Sequence, residues 1–262
     1  MNKQTFLTLL ATFALLFSFT FSCHAKGKDK AKHVVFIGLD GWGAYSLPKA
    51  DMPNVKKLME DGAYTLKKRS ALPSSSAINW ASMFMGAGPE LHGYTEWGSK
   101  TPELPSRVLN KNGIFPTVFQ LLRDARPEAE IGCLYEWEGI KYLVDTLSLS
   151  YHYHVADCNK TPKELGNMAS SYIKEKHPAL VAICYDGPDH TGHTAGHDTP
   201  EYYEKLKELD MYVGQIVQAV KDAGMLDDTI FILTSDHGGI DKGHGGKTMQ
   251  EMETAFIISG KN

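Results

Sequence analysis

The fourteen residues from Tyr185 to Asp198, YDGPDHTGHTAGHD, hold three histidines (His190, His193, His197) and three aspartates (Asp186, Asp189, Asp198). Carboxylates and imidazoles together form a donor set for a divalent cation such as zinc. Spacing inside this stretch does not choose among them, so the partners must come from elsewhere. SDHGGIDKGHGG supplies Asp236 and His237, with His244 seven residues after His237 and glycines that let the backbone turn tightly. Asp40 directly follows the apolar run HVVFIGL. An isolated buried aspartate is costly, whereas acids and imidazoles that share cations offset one another's desolvation. Hydrolysis also needs a nucleophile. LPSSSAINWASMFMGAGPELHG (72–93) sets Ser74, Ser75 and Ser76 before a helix-like run, where free N–H groups and the helix dipole favour anions. A serine there is equally an ordinary helix cap, and residue chemistry leaves the three serines equivalent.

These residues need a scaffold that brings distant segments together. HVVFIGL (33–39), EIGCLY (130–135), ALVAICY (179–185), TIFILTS (229–235) and TAFIIS (254–259) are short, apolar and rich in β-branched residues, the pattern of strands buried on both faces. MPNVKKLMEDGA, PTVFQLLRDARP, TPKELGNMASSYIKEKH and EYYEKLKELDMYVGQIVQAVKDAG between them predict amphipathic helices. The alternation predicts an α/β fold, a mostly parallel central sheet with helices on both faces. In such a sheet, ligands bind at the carboxyl ends of the strands. Asp40, Asp186 with Asp189, and Asp236 with His237 each follow a predicted strand, so three distant segments would deliver acids and imidazoles to one edge.

The order of these motifs resembles the alkaline phosphatase superfamily: a strand-Asp, Ser-x-x-Asn followed by GPELHG, then PDxxGH, DHG and a late HGG. Within it, the chain is similar to the type I phosphodiesterase/nucleotide pyrophosphatase branch over about residues 33–259. The resemblance implies an alkaline phosphatase-like fold and two divalent metal ions, with zinc the ion that suits the donors and manganese or iron also compatible. It implies that Asp40, Asp236, His237 and Ser76 hold one ion and that Asp189, His193 and His244 hold the other. Aligning GPELHG with the branch's YPESHG makes Ser76 the nucleophile, where the branch commonly has threonine, and puts Asn79 where its amide would stabilise the transferred group. His190 and His197 are then expected to face solvent or to sit behind the ligands, with Asp186 orienting one of them. The implied activity is phosphoester hydrolysis, by a phosphodiesterase or phosphatase working through a phosphoseryl intermediate. Its expected partner is a small phosphoester substrate.

Several rival readings can be weighed on residues. A sulfatase would need C/S-x-P-x-R, and the nearest approach, SLPKA at Ser46, ends in Ala50. A phosphoglycerate mutase of the cofactor-independent type would need a larger inserted domain than residues 94–160 provide. A sulfatase-like or phosphonate hydrolase of the same superfamily, or a metal-binding relative without turnover, is the alternative function. The 27 basic against 31 acidic residues argue against a nucleic-acid polymer as partner. Trp42, Trp80, Tyr94 and Trp97 flank the motifs and are candidates for stacking on a base or sugar, or equally for core packing. Lys100 and Lys247 are candidate phosphate contacts, although most lysines are simply solvated.

At the N-terminus, Lys3, the apolar run FLTLLATFALLFSFTF and SCHA predict an export signal over 1–25, followed by a basic spacer at 26–32. The expected location is periplasmic or extracellular, with lipid attachment at Cys23 as the rival to cleavage. The catalytic domain is expected to span 33–262, with 94–160 a partly irregular insertion. The chain stops soon after its last predicted strand, where relatives usually continue, so a C-terminally shortened member or a fragment is expected. Export would permit a disulfide between two of Cys133, Cys158 and Cys184.

Overall fold

Consecutive apolar residues buried on both faces build the centre of one seven-stranded sheet. The computed structural model describes residues 30–156 and 162–261. Its strands are β1 (His33–Leu39), β2 (Gly62–Arg69), β3 (Ile131–Tyr135), β4 (Tyr151–His154), β5 (Leu180–Tyr185), β6 (Thr229–Thr234) and β7 (Glu253–Gly260). They lie in the order β2-β7-β6-β1-β5-β3-β4. All neighbours pair in parallel except β6 with β7 and β7 with β2, which are antiparallel. The α/β architecture expected from the sequence is therefore the observed one, and residues 31–261 form a single compact unit.

The helices are α1 (Pro53–Glu60), α2 (Ser76–Met85), α3 (Pro89–His92), α4 (Val118–Ala125), α5 (Pro162–Lys176), α6 (Gly187–Ala195), α7 (Pro200–Asp222) and α8 (Met249–Met252). Alternation along β1 divides them into two layers. Val35, Ile37 and Leu39 join the core made with α1, α5 and α7, where Leu206, Leu209, Val213, Ile216 and Val220 line the inward stripe of α7. Val34 and Phe36 turn to the other face, where they pack against Trp80 and Phe84 of α2 and the core around Phe119 of α4. There Trp80 stacks on Phe84 at 5.7 Å and Phe84 meets Phe119 at 5.3 Å.

Two strands escape the sequence pattern, and both are edges. β2 is exposed along most of its length and carries Lys67, Lys68 and Arg69, residues that discourage further pairing at an edge. β4, YHYH, has no apolar alternation. The span 94–160, expected as a partly irregular insertion, contains β3 and β4 and so contributes to the same sheet. Cys133 and Cys184 are free and buried on neighbouring strands, and Cys158 lies outside the described residues, as does the segment expected to direct export. No helix among the described residues is long and apolar enough to cross a membrane.

Strand register is what positions the site. Gly38 pairs with Thr234 of β6 on one side and Cys184 of β5 on the other. Two residues further along each strand come Asp40, Asp236 and Asp186, which therefore emerge abreast at the carboxyl edge. Gly38 has a second role, because a Cβ there would lie 2.2 Å from the Trp80 ring. Gly38→Ala should force Trp80 outward and destabilise the fold by about 1–3 kcal/mol, the usual range for overpacking. Urea unfolding checks this, and an unchanged midpoint would show that Trp80 has room to move.

Candidate active site

Each of three buried aspartates has one carboxylate oxygen held by the chain and another left over. Asp40 accepts from Trp80 Nε1 at 2.8 Å through Oδ2. Asp236 accepts from Gly41 N at 3.2 Å through Oδ1, while Ser70 Oγ donates to its backbone carbonyl at 2.6 Å. Asp189 Oδ2 lies 3.1 Å from His193 Nε2. The second oxygens, Asp40 Oδ1, Asp236 Oδ2 and Asp189 Oδ1, are buried without a hydrogen-bond partner. Gly41, at φ +67°, allows this crowding: a Cβ there would fall 2.7 Å from Asp189 Oδ1.

The imidazoles face the same point. His193 Nδ1 bonds the Lys242 carbonyl at 2.9 Å, His237 Nδ1 the Gly238 carbonyl at 2.8 Å, and His244 Nδ1 the Ser74 carbonyl at 3.1 Å. A carbonyl only accepts, so each Nδ1 carries the hydrogen and each Nε2 is turned toward the carboxylates. His237 Nε2 lies 3.4 Å from Asp40 Oδ1 and 3.2 Å from Asp236 Oδ2, and His244 Nε2 lies 3.7 Å from Asp189 Oδ1. Among the described residues, two groups have ligand atoms close enough to share an ion: Asp189, His193 and His244, and Asp40, Asp189 and His237. The first is one of the sets expected from the sequence. The second brings in Asp189, which the sequence reading assigned to one ion only.

Asp189 and His193 belong to a helix. The one-turn spacing puts both on one face of α6, with Pro188 in its first turn. Within residues 185–198 the side chains take different places. Asp198 turns away to pair with Lys49 at 2.8 Å, and Asp186 precedes α6 half-buried. His197 does not face solvent: its side chain is fully buried, 3.9 Å from Asp189 Oδ1.

Charge crowding is visible in the titration behaviour. Burial, then the neighbouring Asp236, Asp189 and Asp186 carboxylates, push Asp40 well above the ordinary carboxylate range. Burial also raises Asp189, but the His193 hydrogen bond and the charges of His237, His244 and His193 outweigh it and hold this carboxyl below its ordinary range. The hydrogen bond to Asp189 lifts His193 to about 9 against a smaller penalty from burial. Burial lowers His244.

The serines are no longer equivalent. Ser74 Oγ donates to the Gly246 carbonyl at 2.6 Å, and Ser75 is the N-cap residue of α2. Ser76, the first residue of α2, has its Oγ 3.1 Å from His237 Nε2. Asn79 is committed elsewhere: its amide nitrogen donates to the carbonyls of Ser75, Pro73 and Ala71, and its oxygen accepts from Ala71 N at 2.7 Å. Asn79 thus ties down the loop that presents Ser76. Trp42, Trp80 and Tyr94 are buried, while Trp97 is 67% exposed and its carbonyl accepts from Ala77 N at 3.1 Å, beside Ser76. Lys100 sits over the Tyr142 ring, and Lys247 is exposed.

Glu136 was missed by the sequence reading. It directly follows β3, is buried, and accepts from Asp186 N at 2.7 Å, holding the start of α6. Burial raises its pKa to about 8. The signal that marks Asp40, an acid immediately after a buried strand, was available for Glu136 as well.

The profile of the type I phosphodiesterase / nucleotide pyrophosphatase family matches residues 34–253, which include every residue of this site. The chain belongs to that family. It is 26% identical over 221 residues to a bis(5'-adenosyl)-triphosphatase of Mus musculus, covering 80% of this chain and 48% of the relative. It is 30% identical over 122 residues to GPI ethanolamine phosphate transferase 3 of Schizosaccharomyces pombe, covering 46% of this chain and 13% of that one. The chain thus spans about half the length of the first relative and less of the second. Among solved structures, murine ectonucleotide pyrophosphatase/phosphodiesterase 5 superposes with a TM-score of 0.62 at 19% identity, over 79% of this chain and 57% of that one. A 2-O GAG sulfatase superposes with a TM-score of 0.67 at 13% identity, over 88% and 64%. These likenesses show a fold common to phosphodiesterases and sulfatases, the alkaline phosphatase-like fold expected from the sequence.

A cation held by Asp189, His193 and His244 needs the lone pair of His193 Nε2, which is protonated below pH about 9 in the metal-free protein. Zinc uptake at pH 7.5 should therefore release about one proton from His193, and affinity should rise as pH approaches 9. Calorimetry in buffers of different ionisation enthalpy measures the proton count. No release would remove His193 from the ligands.

Proposed function

We propose that this chain is a phosphoester hydrolase that uses two divalent cations, zinc by donor chemistry, and Ser76 as its nucleophile. One observation carries the reading. Three orphaned buried carboxylate oxygens and three Nε2 atoms converge beside a serine hydroxyl at the start of a helix. Acceptors without donors are costly when buried, and cations are the partners that satisfy them together. Asp40, Asp236 and His237 would hold one ion beside Ser76, and Asp189, His193 and His244 the other, with Asp189 facing both. Bound there, the ions would supply Lewis acidity, lowering the pKa of the serine hydroxyl and polarising a phosphoryl oxygen.

The remaining steps belong to the chain. Ser76 Oγ, its proton given up to solvent, attacks phosphorus as the P–O bond to the leaving group opposite breaks, and the leaving oxygen departs with a proton from water. A second water then attacks from the vacated side, breaking the phosphoseryl bond, restoring the serine hydroxyl and releasing the phosphate product. The start of α2 favours the negative charge that gathers on the phosphoryl oxygens. Asn79 acts through the loop it ties down, keeping the Ser76 hydroxyl aimed. Trp97, whose carbonyl accepts from Ala77 N and whose side chain is exposed, is the candidate surface on which the leaving group would stack.

Family membership favours a phosphodiester or pyrophosphate substrate, and an inactive form of murine ectonucleotide pyrophosphatase/phosphodiesterase 5 forms a complex with AMP. The N-terminal pattern supports export ahead of a catalytic unit that begins at about residue 33.

Purified, zinc-loaded protein should cleave an aryl phosphate diester faster than the corresponding monoester. The reverse order would make it a phosphatase, and cleavage of an aryl sulfate alone would overturn the reading. Ser76→Ala should lower kcat at least about a thousandfold, the scale of losing a nucleophile, with zinc content unchanged. Undiminished turnover would reject Ser76. Asp189→Ala should lose zinc, measured by elemental analysis, and full metal content would remove the α6 face from the site.

A further inference from the structure

The neighbourhood of Asp189 contains one more group that the proposed mechanism does not use. His197 follows the end of α6, its side chain is fully buried, and both ring nitrogens lack a hydrogen-bond partner. The atom nearest in kind is Asp189 Oδ1, itself buried and unpartnered, 3.9 Å from His197 Nε2. An unsatisfied donor facing an unsatisfied acceptor across a gap of this size is a hydrogen bond that a small shift of either side chain would close.

The slot that holds the ring is specific. A Cβ on Gly192 would lie 2.3 Å from the ring and one on Gly239 would lie 2.2 Å from it, so the chain leaves room for an imidazole between α6 and the DHGG turn. Tyr202 closes another side at 5.4 Å between ring centroids, and His197 N donates to the Asp241 carbonyl.

We infer that His197 is a positioning residue whose Nε2–H is reserved for Asp189 Oδ1 and aims that carboxylate toward the two candidate ion positions. The inference rests on the metal-site reading above. It differs from the bland alternative, an aromatic filler packed against Tyr202, because a filler needs no nitrogen. A ligand carboxylate held by an outer hydrogen bond loses roughly 10–100-fold in metal affinity when that bond is removed.

The test compares the full chain with His197→Phe, which fills the slot without a donor, and His197→Gln, which restores an N–H at similar reach. Zinc affinity is measured by competition with a chromophoric chelator, and the metal-free melting temperature controls for folding. His197→Phe should weaken one zinc site about 10–100-fold with little change in metal-free melting temperature, and His197→Gln should recover most of that loss. Should the phenylalanine variant not fold, His197→Ala gives the same affinity comparison. Equal affinity in the donor-free variant and the parent would overturn the role of His197 alone. Loss of one zinc even at saturation would make His197 a ligand rather than a positioning residue and would also overturn it. A parent that takes up no zinc would overturn the site reading itself.

Discussion

Three adjacent parallel strands in fixed register leave Asp40, Asp186 and Asp236 side by side at one sheet edge, and the next turn of chain adds Asp189. Carboxylates this close, and this dry, oppose one another's ionisation, as the raised pKa of Asp40 records. Much of the surrounding structure answers that repulsion. An indole takes one oxygen of Asp40, a backbone N–H and a serine hydroxyl take one oxygen of Asp236, and the His237 imidazole crowds the others. What remains unsatisfied is a cluster of lone pairs aimed at common points, an arrangement that asks for positive charge.

The core and the site share parts, so neither can be altered alone. Trp80 is fully buried among Phe36 and Phe84, yet its indole N–H holds Asp40. Its place depends on the missing side chain of Gly38. Glu136 performs a similar service from the end of β3, accepting from the backbone N–H of Asp186, the residue that caps α6, and so steadying the helix that carries Asp189 and His193. Ser74 joins the loop before Ser76 to the last histidine loop from two directions, through the His244 ring and the Gly246 carbonyl. Each link spans a long stretch of sequence, which makes the geometry a property of the whole fold.

Likeness in fold extends to proteins of different chemistry, phosphodiesterases and sulfatases alike. The sheet edge is the shared element, and the residues mounted on it carry the distinction. Here the residue mounted at the start of α2 is a plain serine, and SLPKA lacks the arginine of the sulfatase signature. The family match over residues 34–253 agrees with that assignment.

The central strands were legible because burial on both faces demands apolar, β-branched runs, and the acids that follow them were legible because polarity there has no packing excuse. β2 and β4 were not, since edge strands need no continuous apolar signal. Helix α6 escaped because its glycines, proline and polar residues resemble a turn in any local window. The residue types, their order along the chain and their family likeness were thus determined by the sequence alone. Only the tertiary structure decided that Asp189 faces both groups, that Asn79 is tied to its own loop, and that His197 is buried. Those are distances between atoms far apart along the chain, and local pattern carries no information about them until packing and strand register bring them together.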